Sequence, residues 1–551
     1  IDKAELEGDV IVDHPQVKGR SDSLELAFEQ VPTTRPAAPG SSGPGNETQL
    51  KTMDAEGKVH YVIINEQKNE TLSCSHLTLE TAKDQNNKIY ARSMNADGEV
   101  HAFDDQQDLK CGQLALTFTP TTKPSTQPAD PTKLDTSSIV VETMSAQQDV
   151  QMTTADGNAA KADSLSMVTE DGKRTVTLVG EPNAIVKQKD DVLMGPVITF
   201  YPDTNHASVT GAGTVHAVQQ PAPDAKDKKP QPIDIGWGGN LSANGDLNLV
   251  DITQKINIAA KTSDGAMNTA TSDRLKLTLM DDPKATTRPT TQKVKKGKDS
   301  STNMMSSFGN SDFFKDKVVK TVFLYDNVQL KSVLNDEKGK LLRRMLLQGP
   351  VVQYDMQDKT FLVPAAGQML LQDESKSSPS LASSTDSNPG SDMHGPTAFE
   401  WSKELRYDDN VHRMTMSGDV HIVHESSGDS KPFTLNAQQI TADMEPVPTT
   451  QPISAPAAKS GDSSPAQEKM RLKHVNASGQ VEFTSAPIHF FCSAVDFDPG
   501  THILTAHGND RVRAQLYDDK GSVDGSFMQL RYDTQTGRII DTTDFRGTVR
   551  R

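Results

Sequence analysis

A short segment opening Gly-x-Val recurs along the whole 551-residue chain, and repetition at this scale implies stacked copies of one unit rather than independent globules. It reads "GDVIV" from Gly8, "GKVHYV" from Gly57, "GEVHAF" from Gly98, "GTVHAV" from Gly213, "GDLNLV" from Gly245, "GPVVQY" from Gly349, "GDVHIV" from Gly418, "GQVEF" from Gly479 and "GTVRR" from Gly547. Weaker copies surround Val150, Gly180, Val328 and Gly508. Read alone, each copy is the opening of a short strand.

A second segment alternates with the first: "LKCGQLALTF" at 109–118, with "LSCSHLTL" (72–79), "AKADSLSM" (160–167), "LMGPVITF" (193–200), "ATSDRLKL" (270–277), "PAAGQMLL" (364–371), "LNAQQITA" (435–442) and "FFCSAVDF" (490–497) as its peers. Period-two alternation rich in Val, Leu, Ile and Thr, with no helical window, makes the chain all-β. Within this segment the phase slips: Leu109 and Cys111 share one side of a flat strand, whereas Leu114, Leu116 and Phe118 fall on the other. A one-residue shift flips every side chain unless the strand bends, so a corner is expected there. Cys74, Cys111 and Cys492 hold the same repeat position as Ala162, Gly195, Ser272, Ala366 and Ala437, which marks them as small fillers inside that corner. A Cys74–Cys111 bridge is allowed if the two lie on neighbouring rungs. Segments such as "TEDGKR", "YPDTNH", "YDDNVH", "DPGTH" and "DTQTGR" read as hairpin turns.

The remaining chain is Pro/Ser/Thr-rich insert: 31–49, 119–133, 219–232, 282–303 with an extension to 311, 374–392 and 445–467. Such composition cannot bury a core and is expected to be disordered; each insert follows the second segment, so all should hang from one edge. Three repeat segments result, 1–218, 233–373 and 398–551. With 34% apolar and 24% charged residues and a net charge of -17, a nucleic-acid partner is not expected, because phosphate binding runs on clustered Lys and Arg. No run approaches the roughly 18–20 apolar residues a helical membrane span needs. The chain opens on Ile1 inside a repeat, which reads as a segment of a longer protein.

The run "FMQLRYDTQTGRIIDTTDFRGTV" at 527–549, echoed through the chain, resembles the OstA-like, LptA-type periplasmic repeat of lipopolysaccharide-transport proteins. The resemblance implies a stacked-strand β-jellyroll, a "β-taco" with an open apolar groove, located in the periplasm and bridging inner and outer membranes. Its cargo would be lipopolysaccharide or another amphipathic lipid. It would join head to tail, by strand augmentation, to neighbouring repeats or Lpt-type partners. Expected groove residues are Val10, Val12, Leu24, Leu26, Phe28, Leu114, Leu116, Phe118, Leu165, Met167, Ile198, Phe200, Leu275 and Leu277. From the residues alone, a closed solenoid core filled by the same side chains is the equal alternative, which would make the chain a structural or adhesive scaffold without cargo.

No catalytic constellation, cofactor or metal site is expected. His60, His101, His216 and His421 follow the Val of Gly-x-Val and should face outward as polar filler; His421 and His424, three apart on a strand, should lie on opposite faces and share no metal. The Asp pairs starting at 104, 190, 281, 408 and 518 fall in turns, where Asp serves the backbone. With only two tryptophans, Trp237 and Trp401, platforms for stacking sugars are scarce, and the chain reads as non-enzymatic.

Overall fold

The computed structural model describes residues 2–14, 17–32, 46–64, 69–84, 89–120, 139–219, 231–262, 265–281, 317–374, 395–425, 432–446, 470–509, 511, 513–519, 523–534 and 536–549. These are strand and turn, with a single 3-10 turn at Pro202–Thr204, as period-two alternation requires. Two compact units form: the first comprises Ile1–His216, Gly238–Val250 and Asp281–Val318, the second Ala217–Trp237, Asp251–Met280 and Val319–Arg551. Each is an antiparallel sheet in which strands pair mainly with their neighbours in sequence, for example Asn69–Lys83 with Ile89–Phe103 and that strand with Gln107–Pro120.

Gly-x-Val does not open a strand at most of its copies; it bends one. In Asn46–Ile64, Ile89–Phe103, Arg413–His424 and Met470–Ser485 the motif lies mid-strand, at a register shift between Glu56 and Val59, Asp97 and Val100, Ser417 and Val420, and Ser478 and Val481. Both residues before the Val are left-handed: Gly98 and Glu99 have φ of 80° and 48°, Gly479 and Gln480 of 79° and 55°. Glycine adopts this region freely. Three further corners use the same two left-handed residues with no glycine: Gln148–Asp149, Gln254–Lys255 and Asp326–Asn327. Gly213 and Gly547 do lie at strand starts, in Gly213–Gln219 and Arg546–Val549, while Gly245 sits in the turn before Leu249–Lys261 and Gly349 pairs opposite Val328.

The corner expected in "LKCGQLALTF" is the same corner seen from the partner strand. Val100 is the register partner of Cys111, and Asp97 of Gln113, so Gly98 and Glu99 stand against Gly112. The bulges line up across rungs, dividing each unit into two walls that meet along a seam. At these mid-strand corners the Val faces a small residue: Val10 with Ser21, Val59 with Cys74, Val150 with Ala162, Val420 with Ala437 and Val481 with Cys492. All three cysteines are free and buried. The expected nearness of Cys74 and Cys111 is corrected: the strand carrying Val100 runs between theirs, and two strand spacings of about 4.8 Å exceed disulfide reach.

One row out from the seam, the first wall of the first unit carries a line of register partners, Leu6–Leu24–Ala55–Leu77–Ala96–Leu114–Ala146–Leu165–Leu178–Ile198–Val209–Leu241. Large beside small lets neighbouring rungs interdigitate at crystal-like density. Every member but Leu6 is at most 7% exposed. The next row is Leu26–Met53–Leu79–Met94–Leu116–Met144–Met167–Val176–Phe200. The second unit repeats the plan with Val363–Leu405–Met416–Ile440–Ala477–Val495–Ala506–Leu530 on its first wall.

The interiors of the Pro/Ser/Thr-rich inserts, and with them the expectation of disorder, lie outside the described residues. Their flanks are strand, running to Pro32, Pro120 and Pro446 and restarting at Asn46. The expectation of a single edge is corrected: the chain leaves the first wall after Pro32, Pro120, Asp281 and Pro446, but the second wall after Gln219 and Asp373.

Candidate functional site: the apolar interior

Among the described residues, the inner faces of the two walls form a long apolar surface with a periodic sequence, and most expected groove residues map onto it. Leu24, Leu114, Leu165 and Ile198 occupy the first row, and Leu26, Leu116, Met167 and Phe200 the second. Val10 lies on the seam, and Val12 across it, beside Gly19. Phe28 pairs with Leu50 and Phe118 with Val141 further out on the first wall. In the second unit Leu275 is fully buried and Leu277 half-buried. The corner explains the union: opposite the two left-handed residues Gly98 and Glu99 of the partner strand this strand turns at Gly112, so Leu109 and Cys111 are buried together with Leu114, Leu116 and Phe118.

Burial of the second row varies along the sheet. Leu26, Met53 and Leu79 of the first unit are half-buried, whereas Met94, Leu116, Met144, Met167 and Val176 are at most 8% exposed, and the first row beside them is dry apart from Leu6. The corresponding row of the second unit runs Tyr354–Phe361–Tyr407–Met414–Ala442–Val475–Phe497–Leu504–Tyr532. It passes from 38% exposed at Tyr354 to 1% at Tyr532. At the buried end the walls touch: the Phe483 ring of the second wall meets Tyr532 of the first at 6.5 Å, edge on. Along the second wall His424, Phe433, Phe483 and Phe490 stack at 5.2, 5.9 and 4.8 Å. Sequence reasoning named none of these four as interior, although the alternation that follows Gly418 and Gly479 carries the signal.

The outer faces carry paired polar groups beside a few exposed apolar side chains such as Ile11 and Phe491. Arg413 Nε donates to Asp443 Oδ1 at 2.6 Å, and His507 and His474 flank Asp496 at 3.1 and 3.4 Å. His60 bonds Ser73 at 2.9 Å, His101 bonds Asp108 at 3.0 Å, and His421 bonds Asn436; these three are half-buried, as is His216. His424, by contrast, is buried, so it and His421 do lie on opposite faces. Among the described residues, Asp54, Glu56 and His76 bring three ligand-type atoms within 4.8 Å of one another. This cluster is on the outer side, and His76 Nε2 already bonds Asp54 at 3.1 Å. Turn aspartates serve the backbone: Asp104 Oδ1 accepts from the amides of Gln106 and Gln107 at 2.7 and 2.8 Å.

Burial pushes the Cys74 and Cys111 thiols up to about 11 and Cys492 up to about 12. The thiolate is the reactive form, so iodoacetamide at pH 8 is expected to label none of them in the folded protein and all three after denaturation. Labelling of the native protein would show that the seam opens. The folded state holds these protons where the unfolded thiols, near 8.5, release them. Their contribution to stability is therefore present below about pH 8.5 and lost as pH rises towards about 11.

Fold and lining together define a class, an all-β repeat protein whose sheets fold along a seam to enclose an apolar interior. Compared with known protein-family models and with curated proteins, the chain matches none.

Proposed function

We propose that the chain is a non-enzymatic lipid-transport or bridge module that shelters the acyl chains of lipopolysaccharide or a similar amphipathic lipid against its inner walls. The observation that carries this reading is one incompletely buried stretch of the second row in each unit, from Leu26 through Met53 to Leu79 and from Tyr354 through Phe361 to Tyr407: side chains on the inner face, beside a first row that is dry next to them. Each methylene removed from water is worth about 0.8 kcal/mol, so a twelve-carbon chain gains roughly 10 kcal/mol from such shelter. Methionine lets the surface adapt to a ligand without one fixed shape. A place in the periplasm, the OstA-like relationship, and head-to-tail strand pairing with neighbouring repeats or Lpt-type partners belong to the same proposal. Its support at the first rung is Leu6, 47% exposed while the rest of its row is buried.

The second reading, a cargo-free scaffold, is favoured by one observation, the closure of the walls where Phe483 meets Tyr532. Solvent extraction of the purified full chain followed by mass spectrometry, with uptake of a fluorescent fatty acid, separates the two. The transport reading expects bound lipid or probe uptake, and a loss of uptake of about tenfold or more in Leu26→Glu and Phe361→Glu, whose half-buried positions tolerate charge better than the dry row. Absence of both lipid and uptake sinks it.

A further inference from the structure

Inside the second unit, the second wall buries a histidine nitrogen that has no hydrogen-bond partner. His424 is 1% exposed and lies in register with Thr397 on one side and Phe433 on the other. Two residues nearer the seam, the same strands contribute Ile422 and Leu435, also register partners and buried. The His424 ring is held in plane by Phe433, stacked at 5.2 Å, and by Thr397 Oγ1 at 2.9 Å from Nδ1. Its Nε2 has no hydrogen-bond partner. Nearby, Ser485 spends its own hydroxyl on the Pro432 carbonyl at 3.2 Å.

The direction of the Thr397 bond fixes what Nε2 offers. Burial holds the imidazole below its ordinary pKa, so it is neutral, with one donor and one acceptor nitrogen. Thr397 is itself 5% exposed. If its hydroxyl donates to Nδ1, that hydroxyl is satisfied and Nε2 carries the proton. If Nδ1 donated instead, both the hydroxyl proton and Nε2 would be left unmatched, which is the costlier arrangement. Nε2 is thus an N–H donor facing the interior, one row outside an apolar line. Retaining such a donor among Ile, Leu and Phe costs stability unless an acceptor arrives.

We propose that His424 Nε2 is the docking point for the ester or amide carbonyl of an acyl ligand whose hydrocarbon chain lies along Ile422 and Leu435. This rests on the reading of the interior as lipid-binding and adds to it a recognised group and a register: the trough of the second unit reads where the chain joins its headgroup. Tyr532 on the facing wall, which also buries a hydroxyl without a partner, is a second donor of the same kind.

The test uses the full chain and two probes that differ only in the carbonyl, 1-monododecanoyl glycerol and 1-O-dodecyl glycerol, each competing with a fluorescent fatty acid. The wild-type protein is expected to prefer the ester by about tenfold, the scale of one buried hydrogen bond. His424→Phe keeps the ring stack and removes the donor, and should bring the ratio to about one. His421→Phe, on the outer side of the same strand, should leave it at about ten. Equal binding of ester and ether by the wild type overturns the docking point and leaves the lipid reading standing, as does a ratio unchanged in His424→Phe. Binding of neither probe overturns both. Because the wild-type ratio alone can refute the proposal, a variant that fails to fold does not protect it.

Discussion

Phe490→Ala is expected to lower the stability of the second unit by about 3–5 kcal/mol, the range for deleting a fully buried aromatic ring. Phe490 is 0% exposed, is in register with Phe483 and Leu516, and stacks on Phe483 at 4.8 Å. The ring contact adds to the transfer term, and the sheet on either side cannot collapse into the hole without breaking its ladders. Both tryptophans, Trp237 and Trp401, belong to the second unit and are 5% and 3% exposed. Denaturant titration followed by tryptophan fluorescence therefore reads this unit alone. A loss under about 1 kcal/mol would mean that the interior around Phe490 is not packed, contradicting the wall contact at Tyr532.

Gly98→Val should cost the first unit about 2–6 kcal/mol, and the tryptophan signal should not register it. Gly98 has φ of 80°, and an added Cβ would lie 2.6 Å from Ser75 Oγ and 2.7 Å from Ser75 Cβ. Left-handed strain in a β-branched residue contributes about 1–3 kcal/mol, and overpacking a similar amount. Far-UV circular dichroism, which sees both units, is the measurement. The same logic reverses at Gln254, which occupies the equivalent position with φ of 66°. Gln254→Gly removes about 1–2 kcal/mol of left-handed cost and adds about 0.5–1 of backbone entropy, for a small net gain. If both substitutions destabilise alike, the corner is not held by backbone conformation.

How far the sequence could be read follows from which physical signals are local. The period-two pattern made the all-β class legible, and the phase slip between Cys111 and Leu114 located the corner. That Gly98 and Glu99 form the other half of that corner was not legible, because pairing between strands, not either segment alone, brings Val100 opposite Cys111. The bridge between Cys74 and Cys111 failed as an expectation for the same reason: without the register, two copies that look adjacent are separated by the strand between them. Corners at Gln148 and Asp326 lack the glycine that announces the motif and read in sequence only as weaker copies around Val150 and Val328, while the corner at Gln254 is revealed by the backbone alone. Of the second unit's interior, only Leu275 and Leu277 were expected. His424 reads in sequence as one more polar residue near His421, and its burial depends on Thr397 and Phe433, which only the sheet brings beside it.

Pairing between successive strands also governs how each unit bears load. Because strands such as Asn69–Lys83, Ile89–Phe103 and Gln107–Pro120 are joined in series, tension applied at the end of a sheet loads one hairpin at a time instead of shearing all ladders together. A strand of 15 residues such as Ile89–Phe103 would release about 50 Å of extended chain as it peels, at roughly 3.3 Å per residue. The rungs behind it keep their seam and their two rows until their own turn comes. Such a sheet yields to stretching in small steps and can re-form from whatever rungs remain, a useful property for a body whose ends are pulled apart.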